Sequence, residues 1–576
     1  MPPLDLILLH APSVYDFRKK PAMYGPISDV IPSTPVFEMY PIGFVSMVGY
    51  LEQHGYRARI INLAVRMLRN PRLDVEKLIS KLDAKVFGFD LHWLAHAAGS
   101  LDLANIVKKY HPDKPIILGG LSSSFYHDEI IEHFPQIDYV LRGDSTEKPL
   151  LELMQCIESN KTPYDVPNLT WREGNGRKHI NPQSFVPQNI DDLWIDYGEV
   201  VKLVVRHRDL ESTLPYEGFM DYPFTAVLTC KGCNYNCITC GGSCYAFNKY
   251  FGRQKAVMKS PEKLVEEIRI ISEYFKAPIF LIGDLRQSGM KHAEEVLDRI
   301  HSEGLDNTIT YELFDMVSRD YMKLMARSAD NWTLEISPES HDDRVRSIMG
   351  KPYTVDQMER TIKIGLEHGC KKYDIYFMVG LSGQTSQSVL DSVKYCNQLY
   401  SKFGRESEIY TFIAPMAPFL DPGSMVFDAP EKYGFTQLYS TLRDHKQALY
   451  QPSWKLYLSY YTDWMTRDQI TETTYEAMIQ LNNVKTEAGI TNQDSAAKIS
   501  CGLKLSRDIM RKIDGIIAST KDPAEREGEF EKLRHEIEDA KRSTGYAKRD
   551  LRMPGTAGIR LKGALKSLLR LGKKVK

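Results

Sequence analysis

Short apolar runs alternate with amphipathic helical patterns through the first 155 residues. Strand-like runs occur at residues 4–9, 57–63, 85–89, 115–118 and 137–141. Helical periodicity fills stretches between them, for example residues 43–54, 101–110 and 148–157. Strands that alternate with helices predict a parallel, doubly wound sheet of Rossmann-like type, whose ligands bind beyond the carboxyl ends of the strands.

A second alternation of strands and helices follows, from about residue 225 to residue 415. Its six strands are expected at residues 226–228, 279–282, 308–313, 332–336, 372–379 and 408–413. Helical patterns such as residues 261–274 and 290–302 separate them. Six strand–helix units predict a partial (β/α)6 barrel of the TIM type rather than a complete eightfold barrel.

The chain is therefore expected to be an α/β protein in five parts. These are a doubly wound domain at residues 1–155, a linker at 156–220, the partial barrel within 221–420, a mostly helical and aromatic-rich region at 421–519, and a charged helix with a basic tail at 520–576.

Composition and charge narrow the class of protein. The chain has 576 residues, of which 43% are hydrophobic and 26% charged, and these values are ordinary for a globular protein. A net charge of −1 gives no overall field that would attract nucleic acid. No apolar run approaches the ~18 residues that span a bilayer, and the first residues lack a signal-peptide pattern. We expect a cytoplasmic protein that binds no nucleic acid.

A cluster of cysteines marks the middle of the chain. Five of the nine cysteines fall between Cys230 and Cys244, and an odd, clustered set favours metal ligation over a disulfide framework. Cys233, Cys237 and Cys240 have the spacing C-x3-C-x2-C. Three thiolates on one loop can bind three irons of a four-iron, four-sulfur (4Fe-4S) cluster, which leaves the fourth iron open for chemistry.

Three other interpretations of these cysteines are open. Cys230 with Cys233 and Cys237 with Cys240 would make two zinc-binding pairs, although structural zinc pairs usually lie a dozen or more residues apart. A ferredoxin cluster has a different spacing and a proline after its last cysteine. The third interpretation is a set of buried, inert cysteines. The position of the triplet, after an apolar strand that opens the second α/β series, favours the open cluster.

Further motifs follow the cysteines. They are Ser260-Pro261-Glu262 at a helix start, Ile282-Gly283-Asp284 at a strand end, residues 335–340 with Arg344 downstream, and residues 378–385. With these motifs the chain resembles the radical S-adenosylmethionine (SAM) superfamily over roughly residues 1–420. It resembles in particular the branch that carries an N-terminal cobalamin-binding domain.

The resemblance implies where SAM contacts the chain. The implied contacts are Gly283 and Asp284 at its amino end, Ser337, Glu339 and Arg344 at its ribose and carboxylate, and Gly380 and Gln384 in the turn at its adenine. Asp284 is explained equally well as a strand-end turn residue, and Arg344 as a solvated helix residue. The chain departs from the family at Thr239, where an aromatic residue usually precedes the third cysteine, and at Ser382, which replaces a proline.

Three stretches at predicted strand ends of the first domain, residues 87–93, 118–122 and 142–144, resemble the cobalamin-binding domains of this branch. The implied contacts are Asp90, His92, Trp93, Gly119, Gly120, Ser122 and Gly143. The Asp-x-His-x-x-Gly motif that supplies a histidine ligand to cobalt is not found, so no ligand is predicted from it. His10 and His92 are weaker candidates for contact with the corrin. The alternative is a nucleotide-binding or vestigial Rossmann-like fold.

The resemblance implies an enzyme whose cofactors are a 4Fe-4S cluster, SAM and cobalamin. Its expected activity is a radical methyl transfer to an unactivated carbon of a small molecule or lipid. The expected electron source is an external one-electron donor of the flavodoxin or ferredoxin type. Two alternatives are open: ring closure or carbon–carbon rearrangement with the same cofactors, and a non-catalytic cobalamin or redox sensor. No catalytic side chain is identified.

The tail at residues 559–574 carries basic residues and no acidic one. Its leucines fall on one helical face: Leu561, Leu565, Leu568 and Leu569. This pattern is typical of a helix that lies on an anionic membrane, which would place the enzyme peripherally on the inner membrane face and would point to a lipid substrate. A helix docked on the protein's own surface and a disordered tail are the alternatives.

Overall fold

The computed structural model describes residues 4–26, 34, 36–174, 176–404, 408–541, 545–555, 557–560 and 563. The statements below concern these residues.

The N-terminal part is built on a seven-stranded sheet. The strands are β1 (Leu4–His10), β2 (Ala58–Asn62), β3 (Ala84–Asp90), β4 (Ile116–Gly119), β5 (Tyr139–Leu141), β6 (Leu169–Arg172) and β7 (Lys178–Ile180). Their order is β2-β1-β3-β4-β5-β6-β7, with β1 to β5 parallel and the last two strands antiparallel. The predicted doubly wound sheet is confirmed, and two strands from the segment expected to be a linker extend it.

Seven helices accompany this sheet. They are α1 (Gly43–Gln53), α2 (Leu63–Arg69), α3 (Val75–Ile79), α4 (Ala97–Tyr110), α5 (Leu121–Phe125), α6 (His127–His133) and α7 (Glu147–Glu158). The central strands are buried on both faces, which explains why their sequences are nearly continuous apolar runs. Asn62 ends β2 and also caps α2, because its side chain accepts a hydrogen bond from Val65 N at 3.0 Å.

The second sheet has six parallel strands and confirms the predicted partial barrel. Its strands, with the short strands around them, are β8 (Thr225–Leu228), β9 (Cys230–Lys231), β10 (Val257–Met258), β11 (Phe275–Lys276), β12 (Ile279–Ile282), β13 (Ile309–Leu313), β14 (Trp332–Glu339), β15 (Tyr373–Val379) and β16 (Ile409–Pro415). The order is β16-β15-β14-β13-β12-β8.

Helices lie between these strands in the chain. They are α8 (Tyr197–His207), α9 (Cys244–Phe251), α10 (Pro261–Tyr274), α11 (Met290–Glu303), α12 (Arg319–Ser328), α13 (Asp343–Ile348), α14 (Val355–Glu367) and α15 (Ser386–Phe403). Tyr311 of β13 bonds through its hydroxyl to Ser328 of α12, so it faces the helical layer. Thr310 and Glu312, its neighbours along the strand, therefore face the inside of the barrel, where Thr310 bonds to Thr333.

The C-terminal part is mostly helical, as predicted. It contains α16 (Met425–Asp428), β17 (Phe435–Gln437), α17 (Leu442–Ala448), α18 (Trp454–Tyr457), β18 (Tyr460–Thr462), α19 (Arg467–Glu487), α20 (Gln493–Ser519), α21 (Pro523–Lys532), α22 (Arg534–Lys541), α23 (Lys548–Leu551) and β19 (Gly558–Ile559). Helix α19 packs on α15 and on β16, and so continues the helical layer past the last strand. In the described part of the chain no helix is long and apolar enough to cross a membrane.

Residues 545–560 close the amino end of the barrel. Thr308, just before β13, donates to the carbonyl of Pro554 at 2.8 Å, and Thr333 near the start of β14 contacts Met553. Strand β19 pairs antiparallel with β11. Because this end is filled by the chain itself, only the carboxyl ends of the strands are left for a ligand.

The basic tail falls mostly outside the described residues. Residues 561–562 and 564–576, which include all four leucines of the predicted membrane-binding face, are among the residues not described. Arg560 is described, and it forms an ion pair with Asp306 on the surface of the barrel.

Two buried ion pairs accompany the closing segment. Lys485 of α19 binds Asp550 of α23 at 2.9 Å, and both side chains are 2% exposed. Lys372 binds Asp374 of β15 at 2.9 Å, with similar burial. Each charge is far from water, so each depends on its partner for compensation.

We expect Asp550→Ala to lower the free energy of unfolding by about 3–5 kcal/mol, because Lys485 is left as a buried charge without its partner. Urea denaturation followed by circular dichroism measures the change. Asp320→Ala is the matched control, since that side chain is 92% exposed and a change within about 0.5 kcal/mol is expected. Equal effects of the two substitutions would contradict this account.

Candidate functional site

The cysteine loop lies at the carboxyl end of the barrel sheet. Strand β8 ends at Leu228, the short strand β9 follows, and the three cysteines come before α9. Helix α9 begins directly after Ser243, whose hydroxyl accepts from Ala246 N at 3.3 Å. The loop thus runs from a strand end into a capped helix, where parallel α/β folds bind their ligands.

Three other strand-end segments hold this loop in place. Asn234 N donates to Gln287 after β12 at 2.8 Å. Ile238 N donates to the carbonyl of Met349 after β14 at 3.3 Å. Gly241 N donates to the carboxylate of Asp421 after β16 at 3.0 Å. Backbone donors along the whole loop are therefore bonded to the barrel, which fixes the loop without any bound ligand.

The donor set of the loop fits an iron–sulfur cluster. Cys233 Sγ accepts from Tyr235 N at 3.4 Å and Cys240 Sγ from Gly242 N at 3.3 Å, and such bonds stabilise sulfur-bound negative charge. Burial, with a further effect of Cys237, raises the pKa of Cys233 to about 11. Within the described residues no three such side chains are grouped to hold a metal ion. A cluster instead presents a separate iron to each thiolate.

Cys230 is a poor candidate for a cluster ligand. Burial raises the pKa of its thiol to about 12. Its sulfur lies 3.5 Å from the amide nitrogen of Gln287, the same side chain that binds Asn234 N. These contacts assign Cys230 to the packing between the loop and β12, in agreement with the small packing residue expected at this position.

Glu339 occupies an unusual position beside the cysteine loop. It ends β14 after a register shift, has φ of 67°, and is buried. One carboxylate oxygen pairs with Lys351 at 3.1 Å, and the other has no hydrogen-bond partner. Lys351 also lowers the pKa of Cys237, although burial outweighs it and raises that pKa. A strained, buried carboxylate with a free oxygen fits the predicted contact with SAM.

The other predicted SAM contacts surround Glu339. Arg344 is exposed and donates to the carbonyl of Gly383 at 3.0 Å, so it borders the turn after β15. Gln384 closes that turn, because its carbonyl oxygen accepts from Gly380 N at 2.8 Å. Ser337 is partly buried on β14. These contacts bring the two motifs side by side, while their roles toward SAM stay predictions.

Asp284 has a complete set of partners inside the protein. Its carboxylate accepts from the backbone and guanidinium of Arg286 and from Phe314 N at 3.0 Å, and its exposure is 1%. Gly283, next to it, donates its N–H to Glu312 at 2.7 Å. The observed contacts account for Asp284 as a strand-end turn residue, the second of the two interpretations of this motif.

Glu312 and Lys351 belong to this site but were not predicted from the sequence. Burial raises the pKa of Glu312 to about 7, although the Gly283 N–H and the charge of Lys351 oppose the shift. Glu312 lies inside an apolar strand, where a lone acidic residue is the only signal. Lys351 follows Gly350 after a short helix, and nothing in that stretch distinguishes it from a surface lysine.

The predicted cobalamin face lies at the ends of β3, β4 and β5. A Cβ on Gly120, which has φ of 118°, would lie 2.6 Å from His92 N, so only glycine fits there. A Cβ on Gly119 would meet nothing within 4 Å, and the neighbouring Trp93 is 43% exposed. An open backbone surface beside an exposed aromatic ring fits a large planar cofactor.

Several predicted residues support this face from below. Asp90 is buried and accepts a 2.8 Å hydrogen bond from His10, whose other ring nitrogen lies 3.2 Å from the carbonyl of Phe37. Both ring nitrogens of His10 are therefore engaged. Ser122 donates to the carbonyl of His92 at 3.0 Å. Burial lowers the pKa of His92 to about 4, so its ring is neutral at pH 7. Direct contacts of these residues with a cofactor stay predictions.

The two faces approach each other through an aromatic contact. Phe125 of α5 lies 5.0 Å from the ring of Tyr250 and 5.2 Å from that of Phe427. Tyr250 also donates to Asp428 at 2.6 Å. The cysteine-bearing helix α9 is thereby packed against the first domain and against α16.

Two family models match this chain. The Radical SAM superfamily model matches residues 227–396, and the B12 binding domain model matches residues 29–150. The first range contains the three cysteines, and the second contains the three strand-end motifs of the first domain. The family resemblance stated from the sequence is confirmed for both regions.

Curated relatives are similar at low identity. An uncharacterized methyltransferase of Pyrococcus horikoshii is 24% identical, over 57% of this chain and 68% of its own length. The hopanoid C-3 methylase of Methylococcus capsulatus is also 24% identical, over 58% of this chain and 61% of its own. The anaerobic magnesium-protoporphyrin IX monomethyl ester cyclase of Rubrivivax gelatinosus is 20% identical, and the match spans half of each chain.

Solved structures share the fold. The radical SAM methyltransferase TsrM from Kitasatospora setae, with cobalamin and a [4Fe-4S] cluster bound, has a TM-score of 0.56 at 15% identity. The match covers 93% of this chain and 99% of TsrM. The cobalamin-dependent radical enzyme OxsB with aqua-cobalamin bound has a TM-score of 0.52 at 12% identity, over 98% of this chain and 80% of its own. At these identities the likeness establishes the fold.

Asp284→Asn tests the interpretation of the Ile282-Gly283-Asp284 motif. Because the carboxylate is buried against Arg286, the substitution should lower the free energy of unfolding by about 3 kcal/mol without any added SAM. Chemical denaturation measures it, with Asp298→Asn on the surface of α11 as the control. Unchanged stability together with weakened SAM binding would instead assign Asp284 to the ligand.

Glu312→Gln tests the buried carboxylate through pH. The folded protein holds a proton on Glu312 up to about pH 7, whereas the unfolded chain releases it near pH 4.5. Stability should therefore fall as pH rises from about 4.5 to 7 in the unmodified protein. In the variant this loss should be smaller by about 1–3 kcal/mol, since one pKa unit is about 1.4 kcal/mol. Glu294→Gln, an exposed site on α11, should leave the pH profile unchanged.

Proposed function

The chain belongs to the radical SAM superfamily, in the branch with an N-terminal B12-binding domain, and on this premise we propose that it transfers a methyl group to a carbon of a small molecule or lipid. It is a cobalamin-dependent radical SAM enzyme, with a 4Fe-4S cluster, SAM and cobalamin as cofactors. The observation that carries the proposal is that the open glycine face and the cysteine loop approach each other at the carboxyl ends of two parallel sheets.

The residues of the chain have separate tasks in this proposal. When bound, the cofactors supply one-electron chemistry and a transferable methyl group. Cys233, Cys237 and Cys240 would bind iron, and the loop's backbone N–H groups stabilise the sulfur charge. Glu339 and Arg344 would bind polar groups of SAM. The packing of α5 against α9 excludes water from the region between the two faces, which protects reactive species.

Relatives support methyl transfer over the alternatives. Two of the relatives described above are named for methyl transfer, and both exceed the cyclase in identity. Ring closure with the same cofactors is the alternative that the cyclase represents. An external one-electron donor of the flavodoxin or ferredoxin type completes the proposal, because the reaction consumes an electron at the cluster.

Anaerobic reconstitution with iron, sulfide and cobalamin tests the activity. The reconstituted enzyme is incubated with SAM, a reductant and candidate substrates, and products are analysed by mass spectrometry. Release of 5′-deoxyadenosine and S-adenosylhomocysteine with a product heavier by one methyl unit is expected. A product lighter by two hydrogens would favour ring closure, and no SAM cleavage under reduction would favour a sensor.

We expect replacement of Cys233, Cys237 or Cys240 by alanine to abolish cluster assembly, since each removes one of three iron ligands. Iron content and the visible absorption of the reconstituted protein measure it. Cys501→Ala, at an exposed position of α20, and Cys230→Ala should both keep the cluster. Retention of full iron in the three loop variants would refute the assignment.

A further inference from the structure

We propose that Asp144 and Arg253 form a positioning clamp that sets the distance between the B12-binding face and the cysteine loop. The proposal rests on the proposed function in one respect, because it predicts that breaking the clamp uncouples SAM cleavage from methyl transfer. Neither residue is placed in contact with a cofactor, so both act through the backbone segments that they join.

Asp144 joins the two regions from the first domain. It directly follows Gly143 at the end of β5, on the predicted cobalamin face. Its carboxylate accepts two hydrogen bonds from the guanidinium of Arg253, from Nε and from the second terminal nitrogen, the latter at 3.1 Å. Its backbone carbonyl accepts from Lys231 Nζ at 2.7 Å. A single strand-end residue thus bonds to segments on both sides of the cysteine loop.

The partners of Asp144 flank the cysteines closely. Lys231 lies two residues before Cys233, and Arg253 follows α9, the helix that leaves the loop. Strand β9, which contains Lys231, pairs antiparallel with β10 at Val257, so the two flanks are also joined to each other. Any movement of Asp144 is therefore transmitted to both ends of the loop.

Arg253 passes directly against the loop. Its exposure is 1%, and its remaining terminal nitrogen donates to the carbonyl of Pro187 at 3.0 Å. A Cβ on Gly232, the residue before Cys233, would lie 2.6 Å from Cδ of Arg253, and Gly232 has φ of 85°. The chain needs glycine there for its backbone geometry and for the close approach of the arginine.

The chemistry of the pair favours positioning over simple stabilisation. A forked guanidinium–carboxylate contact is directional, since both bonds form only in one relative orientation. A buried pair of this kind contributes little net stability, because desolvation offsets the attraction. The apolar contact of Phe125 with Tyr250 and Phe427 brings the domains together but is non-directional. The clamp supplies the missing orientation.

The test uses the reconstituted holoenzyme with Asp144→Asn and Arg253→Lys. Arg253→Lys keeps the charge and loses the fork. Pulsed electron paramagnetic resonance measures the distance distribution between the reduced cluster and cob(II)alamin. We expect a broadened distribution in both variants. We also expect the ratio of 5′-deoxyadenosine to methylated product to rise about tenfold, while cluster and cobalamin content stay full.

A matched control separates positioning from loss of stability. Asp102 of α4 pairs with Lys446 of α17 at 2.8 Å, and so joins the same B12-binding domain to the C-terminal region away from the strand ends. Asp102→Asn should change stability at most, with an unchanged distance distribution and product ratio. If Asp144→Asn fails to load cofactors, Arg253→Lys provides the same comparison.

An unchanged distance distribution and product ratio in fully loaded variants would overturn the clamp. The resonance measurement needs no turnover, so it tests the clamp even if the unmodified enzyme forms no methylated product. In that case the proposed methyl transfer fails while the clamp is judged on distance alone.

Discussion

Hydrogen bonds between the cysteine loop and three barrel segments are the interaction on which the site depends. Gln287, Met349 and Asp421 come from separate strand ends, and each accepts a backbone N–H of the loop. The strands themselves are held in register by a buried sheet, so the loop inherits the rigidity of the barrel. Without these bonds, eight residues with three thiols would have many conformations, and only a few would present the sulfurs together.

The order of strands was accessible from the sequence because buried parallel strands are written as apolar runs. The runs at residues 4–9, 279–282 and 372–379 each correspond to an observed strand within about a residue. The cysteine triplet was equally accessible, since its ligands are neighbours in the chain. The open glycine face at Gly119 and Gly120 also came from a local motif at a strand end.

Contacts between distant residues were not accessible. The fork of Arg253 on Asp144 spans 109 positions, and no local pattern couples them. Glu312 becomes part of the site only because the sheet places it beside Gly283. Asp284 shows the reverse case, because a motif that suggested a ligand contact is satisfied by Arg286 two residues later. Burial and partner geometry decide such cases, and both are properties of the folded chain.

The closing segment at residues 545–560 has a consequence for biosynthesis. About 130 residues are translated between the end of β16 and Tyr546, which takes on the order of 10 s at 5–20 residues per second. During that interval all six barrel strands have emerged, but the amino end of the nascent barrel is open to solvent. Completion of the barrel core is therefore a late, post-strand event, and chaperone contact with the ribosome-bound chain is expected at this exposed end.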